Sequence, residues 1–298
     1  MKKQVVITYF IAFVLLPVFI VGCSEVQSTV TDPQTVGTHP DGFAAKTSMN
    51  FHSKYLKTVK WDMTTCTTCH AANFTGGTTG TSCLSCHTQT AGPKACNTCH
   101  GSFTDSTLIA PPQALNDDTV TTYKGVGAHS VHLFANLSAK QVQCIACHTV
   151  PATFDAAGHL DNTAGAELVW GDIADDSTNK PGGFSASGTP VVPVPAYAAG
   201  SCSNVYCHGY FKNGNKTNTV SWTGGSSQAA CGTCHGIRVG NPRPGGNHVT
   251  MQSCGGCHSN VGKMVVTGTD TTYVIDSTQA SKHINGKLSV FGNEYSNW

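Results

Sequence analysis

The chain has 298 residues, of which 39% are hydrophobic and only 11% charged, and its formal net charge is +1. So small and balanced a charge excludes the basic footprint of a nucleic-acid binder and gives no strong field to steer a charged partner. Average globular domains carry roughly 25% charged residues, and this chain, rich in Gly, Ser and Thr, is also short of apolar material to offset its chain entropy.

Residues 1–22 read as an export signal: Lys2 and Lys3 precede an apolar run from Val5 to Gly22. The run ends Ile20-Val21-Gly22-Cys23, which resembles a bacterial lipobox with Cys23 as the lipidated mature N-terminus. Ser24 resembles the default for sorting to the outer membrane, where an Asp would retain the protein at the inner one. The alternative is an uncleaved anchor, since the run approaches the roughly 20 residues that span a bilayer. Residues 23–38 show no apolar periodicity and read as a lipidated tether.

Between Cys66 and His100 the pattern Cys-x-x-Cys-His occurs three times, at Cys66/Cys69/His70, Cys83/Cys86/His87 and Cys96/Cys99/His100. This spacing is that of covalent c-type haem attachment. On one helical turn both Cys and the His project from one face, so the thiols can bond the haem vinyl groups while the His reaches the iron. Three further copies follow, at Cys144/Cys147/His148, Cys231/Cys234/His235 and Cys254/Cys257/His258. Cys202 and Cys207, followed by His208, make a seventh site with four residues between the thiols. A disulfide is the competing reading of that pair, and a zinc ribbon that of the Cys-x-x-Cys pairs in general. The seven sites use fourteen of the fifteen cysteines and leave Cys23.

Seven of the fourteen histidines are the proximal ligands His70, His87, His100, His148, His208, His235 and His258. The other seven, His39, His52, His129, His132, His159, His248 and His283, equal the sites in number and are the expected distal ligands. Met49, Met63, Met251 and Met264 are the sulfur alternatives. Iron held by two imidazoles has no open position and a lower potential than iron held by His and Met. The expected function is therefore low-potential electron transfer, with seven covalently bound c-type haems as cofactors. Those haems would also supply the missing core.

The expected fold is mostly irregular coil, with short α-helices at the attachment sites and a few short β-strands around a core of haems. A helix through Gly127-Ala128-His129-Ser130-Val131-His132-Leu133 would put His129 and His132 on one face. One iron accepts only one further ligand, so the two would serve neighbouring haems. Pro111-Pro112 and Asp117-Asp118 mark a module boundary, and Pro181 to Pro195 reads as a surface loop. The expected modules are 39–110 with three haems, 120–240 with three, and 241–298 with one. The order His, attachment site, His with Asp or Asn two residues on, and short strand recurs around Cys144 and Cys254, a weak internal repeat. The triple has no His beyond its proximal ligands, and only His39 and His52 precede it. A third distal ligand must come from beyond His100, and His129 or His132 is the expected one.

These residues resemble the multihaem c-type cytochromes of dissimilatory metal-reducing bacteria, in the domain type where a Cys-x4-Cys-His site precedes a Cys-x2-Cys-His site. The resemblance rests on Gly127-Ala128-His129, Cys144 to Pro151, Gly158-His159, Cys202 to Gly209, Trp222 and Cys231 to Gly236, about a third of the chain. His39-Pro40 with His52 also looks like the family's lead-in. The resemblance implies a lipid-anchored carrier at the outer membrane, on its cell-surface or periplasmic face. Its partners would be other multihaem cytochromes or an outer-membrane conduit, with metal oxides or electrodes as acceptors outside the cell. The competing functions are a multihaem reductase of nitrite or hydroxylamine type with one open iron, and a filament-forming cytochrome.

Overall fold

The computed structural model describes residues 38–105, 113–116, 118–134, 139–161, 165–183, 188–236, 254–268 and 270–298. The expected signal, Cys23 and most of the tether lie outside these residues, as do His248, Met251 and the Pro111-Pro112 break. The chain divides into two compact units between Met63 and Thr64. Among the described residues no helix is long and apolar enough to cross a membrane.

In the first unit, helix α1 (His52–Thr58) follows an extended Phe51. It ends where Lys60 and Trp61 both turn left-handed, with φ of 54° and 64°. The carbonyl of Phe43 accepts from both the backbone N–H of His52, at 2.8 Å, and its ring Nδ1, at 3.1 Å. His39 stacks on the Phe43 ring with centroids 4.2 Å apart.

The second unit is mostly coil, as the composition predicts. Helices α2 (Thr64–His70), α3 (Cys96–Cys99) and α4 (His129–Leu133) are short, and 3-10 turns cover Cys83–Ser85, Cys144–Ala146, Tyr206–His208 and Cys254–Gly256. Six of these seven elements fall on attachment sites, and α4 falls where its histidine spacing places it. Two expectations change. Cys202 lies on a strand, not a helical turn, and Cys231 to Gly236 forms bends with no helix. Gly232 there takes a φ of 93°, which no right-handed turn can contain.

Three small antiparallel sheets complete the unit. The first joins β1 (Ala196–Ala198), β2 (Ser201–Ser203) and β3 (Thr219–Ser221), with Cys202 opposite both Tyr197 and Val220. The others are the hairpins β4 (Gly262–Thr267) with β5 (Asp270–Ile275), and β6 (Leu288–Val290) with β7 (Asn293–Tyr295). Residues 167–171, expected as a strand, are irregular, whereas 288–290 form β6. The difference lies in the partner: β7 pairs with β6, while residues 167–171 bond back to the Cys144 turn described below.

Ala146, Ile173, Ala174, Val205 and Tyr206 form the buried apolar cluster, with Cys147, Cys202 and Cys207 packed against it. The protein's own core therefore sits where the Cys144 and Cys202 sites meet. Many large apolar side chains elsewhere stay in solvent, Phe291 at 66% and Val194 at 71% exposure among them, although Met63, Phe74, Val126 and Val290 are buried outside the cluster.

Candidate haem sites

Attachment turns share one backbone device. The N–H of the motif His donates to the carbonyl of the first Cys in four sites: His87 to Cys83 at 2.9 Å, His100 to Cys96 at 2.9 Å, His148 to Cys144 at 2.9 Å and His258 to Cys254 at 2.8 Å. One closed turn carries both thiols and the imidazole. Among the described residues none of the fourteen motif cysteines is joined in a disulfide, Cys202 and Cys207 included. Burial, with Cys147 close by, pushes the Cys207 thiol up to about 12, and burial raises Cys147 to about 11. Zinc takes thiolates in closed sets of four. Cys147 and Cys207 are held neutral, and among the described residues no three or more His, Cys, Asp or Glu converge on a point.

The protein's own side chains cover the attachment cysteines unevenly. Cys69 and Cys86 in the triple are exposed, and so are Cys96, Cys144 and Cys231. The reason is composition. Cys69 lies in the last turn of a helix whose neighbouring Thr65 and Thr68 are themselves exposed, and Cys86 follows the exposed Leu84 and Ser85, so protein side chains do not close over either thiol. The apolar cluster lies at Cys147, Cys202 and Cys207, away from these two. Cys69 and Cys86 keep their place in the attachment turns, Cys69 within α2 and Cys86 with its N–H donating to the Cys83 carbonyl at 3.2 Å.

The imidazoles share a second device. Ring Nδ1 meets a backbone carbonyl in His70 (Thr81, 2.9 Å), His148 (Glu167, 3.0 Å), His235 (Gly236, 3.2 Å) and His258 (Ser289, 2.6 Å). Outside the motifs the same holds for His129 (Val126, 2.9 Å), His132 (Ala128, 2.8 Å) and His159 (Phe154, 2.8 Å). A carbonyl can only accept, so Nδ1 carries the proton and Nε2 carries the lone pair. This is the outer hydrogen bond that fixes ring and tautomer in metal-binding histidines. His208 departs from it, with Nδ1 buried and without a hydrogen-bond partner. Burial, with His132 beside it, pushes its pKa down to about 4. Burial also lowers His100 and His129, so these rings stay neutral, the form that binds metal.

The rings come in facing pairs. His100 and His159 have centroids 6.2 Å apart and ring planes 30° apart, His129 and His148 6.4 Å and 28°, His132 and His208 6.0 Å and 52°, and His235 and His283 6.3 Å and 82°. A metal–imidazole bond is about 2.0–2.1 Å and Nε2 lies about 1.1 Å from its ring centre, so two rings on opposite sides of one metal have centroids about 6.3 Å apart. Each pair joins one motif His to one spare His. The spacing therefore fits an iron between the rings, and a thiol pair next to each motif His in the chain completes the donor set of c-type haem.

The pairing redistributes the spare ligands. His129 and His132, three residues apart on α4, face two different sites, as one helical face requires. Neither reaches back toward the triple. The ring that does so is His159, because α4 packs beside the Cys144 and Cys202 sites and the loop after Cys147 turns toward His100.

Two side chains that sequence spacing does not single out hold this arrangement. Trp222 lies against both distal rings of α4, edge-on to His129 at 4.8 Å and stacked with His132 at 5.9 Å. Gly127, with φ of 44°, leaves the room: a Cβ there would run into the indole. Lys94, just before Cys96, pairs with Asp155 at 2.6 Å and lies over the Phe154 ring at 5.5 Å.

The Cys202 and Cys231 sites are built as one body. Gly209, directly after His208, has a φ of 113°, and a Cβ there would come within 2.8 Å of the Asn215 carbonyl and 2.9 Å of the Cys234 carbonyl. Asn215 N–H donates to that Cys234 carbonyl at 2.8 Å, and Asn218 Nδ2 donates to the His208 carbonyl at 2.8 Å.

Residues 201–235, this same body, match the family described as the Geobacter CxxxxCH...CXXCH motif. No curated protein and no solved structure matches the chain. With the free thiol pairs and facing imidazoles, the match supports a multihaem c-type cytochrome of that domain type, whose function is electron transfer.

Proposed function

We propose that the chain is a heptahaem, low-potential electron carrier, lipid-anchored through Cys23 at the outer membrane. It exchanges electrons with other multihaem cytochromes or an outer-membrane conduit, and extracellular metal oxides or electrodes are its final acceptors. Haem, when attached, supplies an iron that takes up and returns one electron. The chain's part would be to attach each haem by two thiols and to offer a pair of histidines to its iron, most of them held by a carbonyl at Nδ1 with Nε2 left to ligate.

The four facing imidazole pairs carry this reading. They favour an electron carrier over a reductase, which needs one iron with an exchangeable site, and no Cys-x-x-Cys-Lys variant occurs in the chain. His39, His52 and His248 are the spare histidines outside these four pairs.

Mass spectrometry and a pyridine haemochrome assay of the exported protein test it. Seven haems and a diacylglyceryl Cys23 are expected; four haems, or a chain retaining residues 1–22, overturn the reading. In EPR all irons are low-spin and unchanged by nitrite. A high-spin signal that shifts with nitrite assigns the protein to the reductases instead.

A further inference from the structure

Two of the facing pairs obey one rule of order along the chain. His100 belongs to the Cys96 site; the Cys144 site comes next, and His159 after it. His235 belongs to the Cys231 site; the Cys254 site comes next, and His283 after it. In both cases the His that follows one attachment site faces the proximal ring of the site before, at 6.2 Å and 6.3 Å.

The same segments then clamp the intervening site in the same way. The Glu167 carbonyl accepts from His148 Nδ1 at 3.0 Å, and two residues on, the Val169 N–H donates to the Cys147 carbonyl at 2.9 Å. In the second copy the Ser289 carbonyl accepts from His258 Nδ1 at 2.6 Å, and the Phe291 N–H donates to the Cys257 carbonyl at 2.7 Å. Each segment thus orients the proximal ring of its own site while its leading His is offered to the preceding one. The weak sequence repeat is a repeat of this staggered arrangement.

Local bonds aim each leading His. His159 sits on a turn where its N–H donates to the Ala156 carbonyl at 3.1 Å and its Nδ1 to the Phe154 carbonyl at 2.8 Å. Lys94 grips that turn through Asp155 and Phe154. His283 follows a 3-10 turn (Ser277–Lys282) capped by Asp276, whose Oδ1 accepts from the Thr278 N–H at 3.0 Å. Its own N–H donates to the Ala280 carbonyl at 3.0 Å, and its carbonyl accepts from the Lys140 N–H at 3.0 Å.

We propose that His159 and His283 are distal axial ligands in a staggered scheme, each serving the attachment site before the one it follows. His159 completes the Cys96/Cys99/His100 site and His283 the Cys231/Cys234/His235 site. The proposal rests on the motifs carrying haem.

The test uses the full-length holoprotein and counts spin states by EPR. His159→Ala converts one haem to high spin in the parent chain and none in a Cys96→Ser/Cys99→Ser chain, which lacks the proposed partner. His283→Ala behaves likewise against Cys231→Ser/Cys234→Ser. No high-spin haem in the parent, or one that persists when the partner site is removed, overturns the scheme. Where a Cys variant does not accumulate, His100→Met and His159→Met keep both ligand positions filled, and Met ligation raises the potential. Together they shift one haem in a redox titration if both rings serve one iron; two shifted haems overturn the pairing. A haemochrome assay showing no haem in the parent chain defeats the haem reading itself, a result distinct from either outcome.

Discussion

Trp222 donates its indole N–H to the carbonyl of Lys124 at 2.7 Å, and so fixes an aromatic plate against both histidines of α4. His129 and His132 face different proximal rings, so one Trp side chain braces two axial pairs at once. The brace needs the left-handed Gly127 to clear its ring.

Replacing Trp222 by Phe removes the indole donor but keeps an aromatic plate. Loss of one such hydrogen bond costs about 1 kcal/mol, so thermal denaturation should show a lower midpoint with the haem count and low-spin spectrum retained. Gly127→Ala should cost more, because left-handed backbone strain at a non-Gly residue is worth about 1–3 kcal/mol before the clash with the indole is added. A Gly127→Ala melting curve that overlays the parent's contradicts the assigned packing.

Gly209→Ala should weaken two attachment sites together. Its positive φ and the nearby Asn215 and Cys234 carbonyls leave no place for a methyl group. Peptide mapping should show reduced haem at both Cys202/Cys207 and Cys231/Cys234, with the Cys254/Cys257 peptide unaffected. Loss confined to one of the two peptides would separate sites that here share a backbone.

Replacing both Cys202 and Cys207 by Ser should lower the haem count by one. Were the two a disulfide, the haem count would not change. Mass spectrometry of the exported variant decides between them, and with it whether four residues between thiols still make an attachment site.

Asp155→Asn removes the ion pair with Lys94, whose side chains are 65% and 33% exposed. Exposed pairs are worth about 0–1 kcal/mol and are screened by salt, so the melting temperature should barely move. The expected effect is on the His159 loop: faster displacement of that axial ligand by added cyanide in the variant, converging with the parent at high salt. Equal rates at low salt would show that the pair does not position the loop.

The attachment sites and their chemistry were legible in the sequence because they depend on spacing within one turn, as at Cys96 to His100. So was α4, whose two histidines share a face only if helical. Distal pairing was not, since it depends on where coil segments fold back. His159 was among the spare ligands, but nothing in its spacing to His100 says that the two meet. The count required one ring to cross into the triple, and chain order pointed to His129 or His132, whereas His159 is the ring beside His100. The turn that carries His159 is held near Cys96 by contacts such as Lys94 with Asp155, and such contacts leave no periodic trace. Gly232 likewise broke a helical turn that its Cys-x-x-Cys-His spacing had implied. Spacing is equally silent on burial: Cys69 and Cys147 hold the same place in identical motifs, yet only Cys147 packs against apolar side chains.

A staggered ligand has a consequence for the order in which the chain is made. Synthesis runs from the N-terminus, so both thiols and His100 emerge before His159 exists. A nascent or truncated chain ending between Cys99 and residue 158 can take up its haem covalently yet holds that iron by one protein ligand alone, open to small molecules. Completion of the site waits for residues that belong to the next one along, and a cut between the two leaves a reactive centre upstream of the break where an intact carrier has none.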